Sequence, residues 1–379
     1  MPQRGKNKSD DLLKKVALNL IPGAGDVRIR RLVAYLGSIE NLYLSKPDSL
    51  AKIPGVGEIL SRQIFNGLKN KEILKRAEEE LVFIEKFGLE SHFFLDENYP
   101  YRLQQCEDAP LLFFSLGKTN LNKSKIISIV GTRMPTVQGG KFTRKLVEEM
   151  AQAHPDITIV SGLAYGIDIA AHKASLDSGL ETVAVLGHGF DTIYPASHKT
   201  IAQEIIKHGC LITEFLSGQG PEKPNFVKRN RIIAGLSDAT IVIEAGLRSG
   251  ALITADIANS YNREVLAVPG RVSDPKSAGP NFLIKSNRAA LAESAADVLR
   301  FLGWSLPKEN KPRQTDLFES FTDDEKKVYN LLLAQGDCPV DIIARSTGFS
   351  PGKLSSVLLN LEFQGTIECL PGKVYKLCR

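Results

Sequence analysis

The middle of the chain alternates short apolar runs with longer segments in which apolar residues recur every three or four positions. The short runs predict strands, and the longer periodic segments predict helices. The candidate strands are Ile126–Val130, Thr158–Val160, Thr182–Leu186, Leu211–Thr213, Thr240–Ile243 and Val265–Val268, and helical segments include Lys141–Ala153, Ile169–Ser178 and Ala251–Tyr261. Apolar strands that each lead into a helix indicate a mostly parallel α/β sheet covered on both faces.

The front of the chain, from about Asp10 to Phe94, has a helical pattern throughout. The motif Ile-Pro-Gly-x-Gly occurs twice in it, at Ile21–Gly25 and at Ile53–Gly57. Glycines permit a tight turn between two helices and leave N–H groups at a helix N-terminus open to a phosphate oxygen. This helix-hairpin-helix pattern is equally compatible with DNA binding and with a turn that only packs inside a helical domain.

The end of the chain has the layout of a winged helix. Residues 305–320 are polar, contain two prolines and show no period, so they are predicted to be a linker. Helices, a turn and a β-hairpin are then predicted in the winged helix-turn-helix order. The would-be recognition helix, Pro351–Gln364, has Lys353 as its only cation and also carries Glu362. A DNA-reading helix presents several donors or cations, so a protein-interaction or accessory role is favoured for this domain.

Composition excludes some classes of protein. The 379 residues are enough for two or three domains. No apolar stretch is long enough to span a membrane, and Met1–Asp10 is too polar for a signal peptide, so no membrane association is expected. The five cysteines never show C-x-x-C spacing, which favours reduced thiols in a cytosol over disulfides or a zinc site. The net charge of +5 favours polyanionic partners only mildly.

Glycines and polar residues follow the predicted strands, and ligands of such sheets bind beyond the carboxyl ends of the strands. The first strand runs into Gly131-Thr132-Arg133, and a guanidinium at that edge suits a phosphate. The next strand runs into Ser161–Asp168 and then into a helix with His172. These strand ends are therefore the predicted ligand site.

A cationic cluster with an aromatic residue among its members lies further along, at Lys223, Phe226, Lys228, Arg229, Asn230 and Arg231. An aromatic ring beside guanidinium and ammonium groups suits an unstacked base with its flanking phosphates, as found in a single strand. The alternative is that Arg229 and Arg231 begin a helix and pair with Glu214 or Glu244. Taken together with Arg133, the cluster favours single-stranded nucleic acid.

Two enzyme classes compete with this interpretation. Ser161, Asp168 and His172 resemble a nucleophile, orienter and base, but the strand–G-x-S-x-G–helix elbow is missing. Asp168 is explained equally well as a helix cap and His172 as a tie between strand ends. A nucleotide-binding enzyme is the stronger rival, since a glycine-lined sheet edge also suits a mononucleotide. Against it, Asp191 and Glu244 have no carboxylate partner in sequence and no P-loop is present. A pure protein scaffold is a third possibility.

Several motifs of the middle region occur in an order that resembles the DNA-processing protein A family (DprA/Smf). They are SGLAYGID-x-x-AH, TVAVLGHGFDTIYP, KRNRIIAGLS, IVIEAGLRSGALITA, AVPG and SAGPNFLIK. The resemblance implies a Rossmann-like core, a helical front of the helix-hairpin-helix (SAM-like) kind and a winged-helix tail. It also implies a protein that binds and protects single-stranded DNA, loads the RecA recombinase onto it during natural transformation, and dimerises through the core.

The family's motif residues carry over to this sequence at ten positions, and Lys228 adds a charge at a variable position of the motif. The predicted DNA site consists of these eleven residues: Arg133, Ser161, Gly162, Gly166, Asp168, His172, Phe226, Lys228, Arg229, Asn230 and Arg231. Val227 replaces the family's usual proline, and Ala251 stands where S-G-S-L has a serine, which weakens the case for Ser249–Ala251 as a contact. No catalytic residue, metal or cofactor is expected, and the location is expected to be cytoplasmic. The predicted domains are 1–94 (helical), 95–304 (Rossmann-like), 305–320 (linker) and 321–379 (winged helix).

Overall fold

The computed structural model describes residues 3–305, 321–370 and 373–378. The chain forms two compact units, Met1–Leu306 and Pro307–Arg379. Most of the predicted linker, residues 306–320, and the Pro-Gly turn at 371–372 lie outside the described residues. Within the described ranges, no helix is both long and apolar enough to cross a lipid bilayer.

The first unit starts with six helices: α1 Gln3–Asn19, α2 Asp26–Leu36, α3 Ile39–Leu44, α4 Pro47–Ala51, α5 Glu58–Leu68 and α6 Lys71–Phe87. The two Ile-Pro-Gly-x-Gly segments lie between α1 and α2 and between α4 and α5. The Asn70 side chain caps α6 by accepting from the N–H groups of Glu72 and Ile73, and Gly88, with a φ of 63°, ends it. The α5 side chain of Gln63 donates to the Pro22 carbonyl at 2.6 Å, which joins α5 to the first of these turns.

A nine-stranded sheet follows in the order β1-β2-β6-β5-β4-β3-β7-β8-β9. Its strands are β1 Glu90–Phe93, β2 Leu112–Gly117, β3 Ile126–Val130, β4 Thr158–Ser161, β5 Glu181–Val185, β6 Gly209–Thr213, β7 Ala239–Val242, β8 Glu264–Ala267 and β9 Ala290–Leu291. All six predicted strands are present. The seven neighbouring strands β6, β5, β4, β3, β7, β8 and β9 are parallel to one another. The mostly parallel α/β fold is confirmed.

Three strands of this sheet were not predicted: β1, β2 and the two-residue β9. β2 pairs with β6 in the antiparallel direction and β1 pairs with β2 in the same way. Four of the six β2 residues are buried, so the segment has the continuous apolar character of its parallel neighbours. An apolar run does not specify the direction of a strand, because burial on both faces removes the alternation that marks an antiparallel edge.

Helices cover both faces of this sheet. They are α7 Tyr101–Gln104, α8 Val137–Ala153, α9 Ile167–Asp177, α10 Lys199–His208, α11 Lys223–Leu236, α12 Gly250–Ser260, α13 Ala278–Lys285 and α14 Ala295–Phe301, with a 3₁₀ turn at Ala196–His198. Alternate β3 residues enter different cores, because successive side chains of a strand point to opposite faces. Ile127 and Ile129 pack with residues of α8, α9 and α14, whereas Ile126 and Val130 pack with residues of α11, α12 and the front helices.

The strand order reverses at β3. From β3 the chain proceeds outward through β4, β5 and β6, then returns to place β7 on the other side of β3 and continues through β8 and β9. The crevice beyond the carboxyl ends of β3 and β7 is therefore the topological switch point, where ligands of open parallel sheets bind.

The second unit is a winged helix, as predicted. It consists of α15 Asp323–Gln335, β10 Cys338–Pro339, α16 Val340–Thr347, α17 Pro351–Phe363, β11 Ile367–Leu370 and β12 Val374–Leu377. A capping box between Thr322 and Glu325 starts α15. Lys353, the cation of the would-be recognition helix, pairs with Asp324 at 2.7 Å. Its charge is thereby already partnered within the unit.

Candidate nucleic-acid site

A cavity of about 630 Å³ opens at the switch point of the sheet. One wall is the loop after β3, the second is α11, and the third is the start of α12 after β7. The cavity is lined by Val130, Gly131, Thr132, Arg133, Ala164, Asp168, Tyr194, Pro221, Lys223, Phe226, Val227, Arg229, Asn230, Ile233, Ser249, Gly250, Ala251 and Thr254. The strand-end loops and the cationic cluster, which are far apart in sequence, thus meet at one place.

Arg133 and two aromatic rings form the outer part of the cavity. The guanidinium carbon of Arg133 lies 5.6 Å from the centre of the Phe226 ring, and the Tyr194 ring lies 5.6 Å from Phe226 on another side. Arg133 is exposed, and within the described residues its guanidinium contacts the Phe226 ring and pairs with no carboxylate. Its cation is therefore free for an anionic ligand beside an aromatic surface.

Gly166 packs against the backbone of the loop that carries Arg133. It has φ 81° and ψ −121°, a conformation that essentially only glycine adopts, and α9 starts directly after it. A Cβ atom here would overlap the carbonyl oxygen of Thr132. That oxygen accepts a hydrogen bond from the Ile167 N–H at 3.2 Å. The close approach fixes the backbone that carries Arg133.

Arg229 is a buried cation beneath the cavity. Its Nη1 atom donates to the Gly162 carbonyl at 2.7 Å and also to the Val185 carbonyl, so it joins the ends of β4 and β5. Burial lowers the pKa of Arg229 to about 10, which leaves it protonated at neutral pH. Its Nε atom has no hydrogen-bond partner in the described residues. A Cβ on Gly162 would overlap the guanidinium, which explains the glycine.

Asp168 lies next to this cation on the first turn of α9 and accepts from the Gly162 N–H at 3.2 Å. Burial raises the pKa of Asp168, while the charge of Arg229 acts in the opposite direction. The carboxylate thus holds the loop between β4 and α9 and is only slightly exposed to the cavity.

Ser161 and His172 are both fully buried. The Ser161 hydroxyl donates to the Ile129 carbonyl at 2.6 Å, and His172 Nδ1 lies 2.7 Å from the Thr182 hydroxyl. Burial and the charges of Arg229 and His198 lower the pKa of His172 to about 3, so the ring is neutral. The two side chains bond to different strands and not to each other, so His172 is not placed to activate the serine.

The helical period of α11 divides the predicted cluster. Phe226, Arg229 and Asn230 are three and four positions apart and line the cavity at the switch point. Lys228 and Arg231 lie on another face of α11, beside a second cavity of about 730 Å³. The structure therefore brings the first three residues together with Arg133 and places the other two elsewhere.

Lys228 and Arg231 have acidic partners on their side of α11. Lys228 pairs with Glu214 at 2.8 Å, and Arg231 pairs with the same carboxylate and with Asp26 at 3.1 Å. The sequence analysis left open whether Arg231 binds nucleic acid or pairs with a carboxylate such as Glu214, and the structure shows the pair with Glu214. Burial raises the pKa of Glu214, with both cations opposing the shift.

The N-terminus of α12 forms the remaining wall. Ser249, its N-cap residue, makes no capping hydrogen bond, and its hydroxyl oxygen is buried without a partner in the described residues. Asn230 donates weakly to the Gly250 carbonyl at 3.4 Å. The open N–H groups of a helix start favour an anion at this place even though Ala251 lacks a hydroxyl.

Tyr165 and Tyr194 are the site residues that the sequence analysis missed. They are 47% and 43% exposed, and together with Arg133 and Phe226 they line a small pocket at the rim of the main cavity. Both tyrosines stand inside motifs quoted above, in the loops that follow β4 and β5. A search for aromatic residues in the loops after the predicted strands would have found them.

The two carboxylates considered for an enzyme are engaged in structure. Glu244 accepts from the Thr136 N–H at 2.8 Å at the start of α8. Asp191 accepts from the Gly218 N–H at 3.0 Å. Each one therefore holds a loop.

A mostly parallel Rossmann-like sheet with a basic and aromatic cavity at its switch point, together with a winged helix, places the chain in the class of Rossmann-like α/β proteins that carry a winged-helix unit. The chain belongs to the DNA recombination-mediator protein A (DprA/Smf) family, whose model matches residues 90–303. A DprA winged helix model matches residues 307–373. The resemblance inferred from the motifs is confirmed.

Three similar proteins illustrate the relationship. Protein Smf from Synechocystis sp. is 32% identical, over 95% of this chain and 97% of its own length. The crystal structure of DprA from Streptococcus pneumoniae has a TM-score of 0.65 and 32% identity, covering 77% of this chain and 96% of its own. DNA processing protein A from Helicobacter pylori, whose structure is described for its single-stranded DNA binding mode, has a TM-score of 0.51 and 29% identity, covering 56% of this chain and 95% of its own.

Proposed function

We propose that this protein binds single-stranded DNA in the cavity between the carboxyl ends of β3 and β7. The observation that carries the proposal is the exposed Arg133 guanidinium, which lies 5.6 Å from the centre of the Phe226 ring and pairs with no carboxylate of the described residues. A cation and an aromatic face at this separation suit a phosphate and the base attached to the same strand. A duplex hides its base faces, so the arrangement favours a single strand. The described binding mode of the Helicobacter pylori relative supports this choice.

The predicted site residues then have different roles. Arg133 contacts phosphate together with the start of α12, Phe226 stacks on a base beside Tyr194, and Asn230 faces a base edge. The other predicted residues from the loop after β4, from α9 and from α11 form the base of the cavity and set its shape and charge. They are Ser161, Gly162, Gly166, Asp168, His172 and Arg229. Lys228 and Arg231 act from the far face of α11 by fixing that helix and by adding positive potential.

We further propose that binding involves no catalysis. The serine and histidine that could form a nucleophile and its base are buried and hydrogen-bonded to separate partners. Asp191 and Glu244 each hold a loop. These contacts support a site whose polar groups maintain the shape of the cavity. Turnover of nucleoside monophosphates that is lost on changing one carboxylate would contradict this.

The family to which the chain belongs supports a wider role. We propose that the protein protects incoming single strands in the cytoplasm, loads the RecA recombinase onto them, and works as a homodimer formed through its Rossmann-like part. The family description as a recombination mediator is the support for the loading step. Capture of RecA by both the parent and the Arg133→Ala variant would support a partner surface separate from the DNA cavity. Failure of the parent to capture RecA would refute loading.

Photo-crosslinking locates the strand. An oligothymidine irradiated on the full chain is expected to attach to peptides that contain Tyr194 or Phe226, because thymine must lie against a ring to react with it. Mass spectrometry of the digested complex identifies the attached peptide. Attachment confined to the two Ile-Pro-Gly-x-Gly turns or to the winged helix would refute the proposed cavity.

A further inference from the structure

The loop between β6 and α11 is held by a helix of the front of the chain. Glu80 of α6 accepts from the N–H of Ser217 at 3.1 Å and from its hydroxyl at 2.5 Å. Arg76, one turn earlier, donates to the Ser217 carbonyl at 2.6 Å and pairs with Glu80 at 2.8 Å. Every polar group of Ser217 is therefore bonded to α6.

This contact is specific to one carboxylate. The side chain of Glu80 is only 2% exposed, whereas its neighbours Glu78 and Glu79 are exposed. A buried carboxylate is costly unless all of its hydrogen bonds are made. The bonds that Glu80 makes are directed at a loop 137 positions later in the chain and at Arg76.

The loop in turn leads into α11, which is one wall of the DNA cavity, and it contacts the segment that carries Tyr194. It continues directly into Pro221 and Lys223, which line the cavity, and into α11. Its Gln219 carbonyl accepts from the Gly189 N–H at 2.9 Å, and Gly189 begins the segment that leads to Tyr194. A displacement of Ser217 would therefore move both the start of α11 and the segment that carries Tyr194.

The first Ile-Pro-Gly-x-Gly turn makes a second tie to α11. Asp26, the first residue of α2, accepts from the Leu111 N–H at 3.3 Å and pairs with Arg231 at 3.1 Å. The α2 N-terminus, where a hairpin of this type would receive a phosphate, thus faces α11 and the segment before β2. The front of the chain consequently contacts the loop before α11 through Ser217 and the third turn of α11 through Arg231.

We infer that Glu80 is a positioning residue for the DNA cavity, so that the front helices set the affinity for a single strand without contacting it. The inference rests on the proposed function. Glu80 is absent from the cavity lining, and it acts through Ser217 on the placement of Phe226 and Tyr194.

The test compares Glu80→Gln with Glu79→Gln in the full chain. Glu80→Gln replaces one carboxylate oxygen with an NH₂ group, which cannot accept hydrogen bonds from Ser217 and Arg76. Glu79→Gln removes the same charge from the exposed face of α6. Binding of a single strand that contains 2-aminopurine reports affinity, and its quenching at saturation reports stacking on the aromatic rings. For Glu80→Gln we expect about tenfold weaker binding and a smaller quench at saturation. Glu79→Gln is expected to match the parent.

Ser217→Ala provides a milder second variant that removes only the hydroxyl donor. It is expected to reduce the quench in the same direction, and its effect should be largely lost in a Glu80→Gln background, because residues of one hydrogen-bonded network are not additive. An unchanged quench at saturation in both variants, even with a lowered melting temperature, would overturn the inference. A parent chain that binds no single strand would instead overturn the proposed function, and the positioning role with it.

Discussion

Replacing Arg133 with alanine is expected to weaken single-strand binding by about 10- to 100-fold while leaving the melting temperature unchanged. The side chain is exposed and pairs with no carboxylate of the described residues, so its removal breaks only the contact with the Phe226 ring. The loss should be similar for different sequences, because a phosphate contact carries no base information. Loss of one phosphate contact should also lower the slope of log K against log salt by about 0.7. Fluorescence anisotropy at several salt concentrations measures both quantities.

Arg144→Ala is the matched control for this prediction. Arg144 is an exposed arginine of α8 that pairs with Glu148 and with Asp177 at the end of α9. α9 starts at the carboxyl ends of the parallel strands, where the cavity lies. Its last residues are therefore near the amino ends of the strands, on the side of the sheet away from the cavity. Equal losses of affinity in the two variants would mean that Arg133 acts only through net charge.

Replacing Gly166 with alanine is expected to lower the free energy of unfolding by about 3 kcal/mol and to weaken single-strand binding as well. The backbone at Gly166 is in a region that alanine avoids, and the added Cβ would overlap the Thr132 carbonyl oxygen. The loop that carries Arg133 must then move. Urea denaturation and anisotropy measure the two effects.

Gly140→Ala is the comparison for Gly166→Ala. Gly140 lies inside α8, where an added Cβ meets no atom within 4 Å. Alanine at such a helical position is expected to stabilise by about 0.5–1 kcal/mol. A Gly166→Ala variant as stable as the parent would show that the close approach to Thr132 has no structural role.

The apolar pattern predicted the parallel core because each buried strand is short, β-branched and followed by a helix. It did not predict β1, β2 or the two-residue β9. The apolar run of β2 resembles that of a parallel strand, while its direction is set by its pairing with β6. The switch point depends on strand order, which a single sequence does not contain. Only the structure shows that β3 and β7 are neighbours.

The sequence predicted part of the DNA site, and the rest depended on contacts between distant segments. The rule that ligands lie at carboxyl strand ends located Arg133, and charge located the cluster around Phe226. The helical period separates Phe226, Arg229 and Asn230 from Lys228 and Arg231, and it could have been applied once α11 was recognised. The acidic partners Glu214 and Asp26 come from distant segments, so the pairing of the last two cations depended on tertiary structure.

The first Ile-Pro-Gly-x-Gly turn shows a limit of motif reasoning. Its glycines permit the tight turn in either role, with φ 72° at Gly23 and 65° at Gly25. Asp26, the residue after the turn, determines which segments the turn packs against. Its carboxylate accepts from the Leu111 N–H and pairs with Arg231, both in the first unit. Such a contact has no signature in local sequence.

Competition between a single strand and a duplex for the full chain tests the central claim most directly. If the cavity holds an unstacked base on Phe226 and Tyr194 with its phosphate at Arg133, a short oligothymidine should bind at least about tenfold more tightly than a duplex of the same length. Its affinity should also fall as salt rises, through release of counterions. Equal affinity for the two forms, or affinity that does not change with salt, would contradict the account.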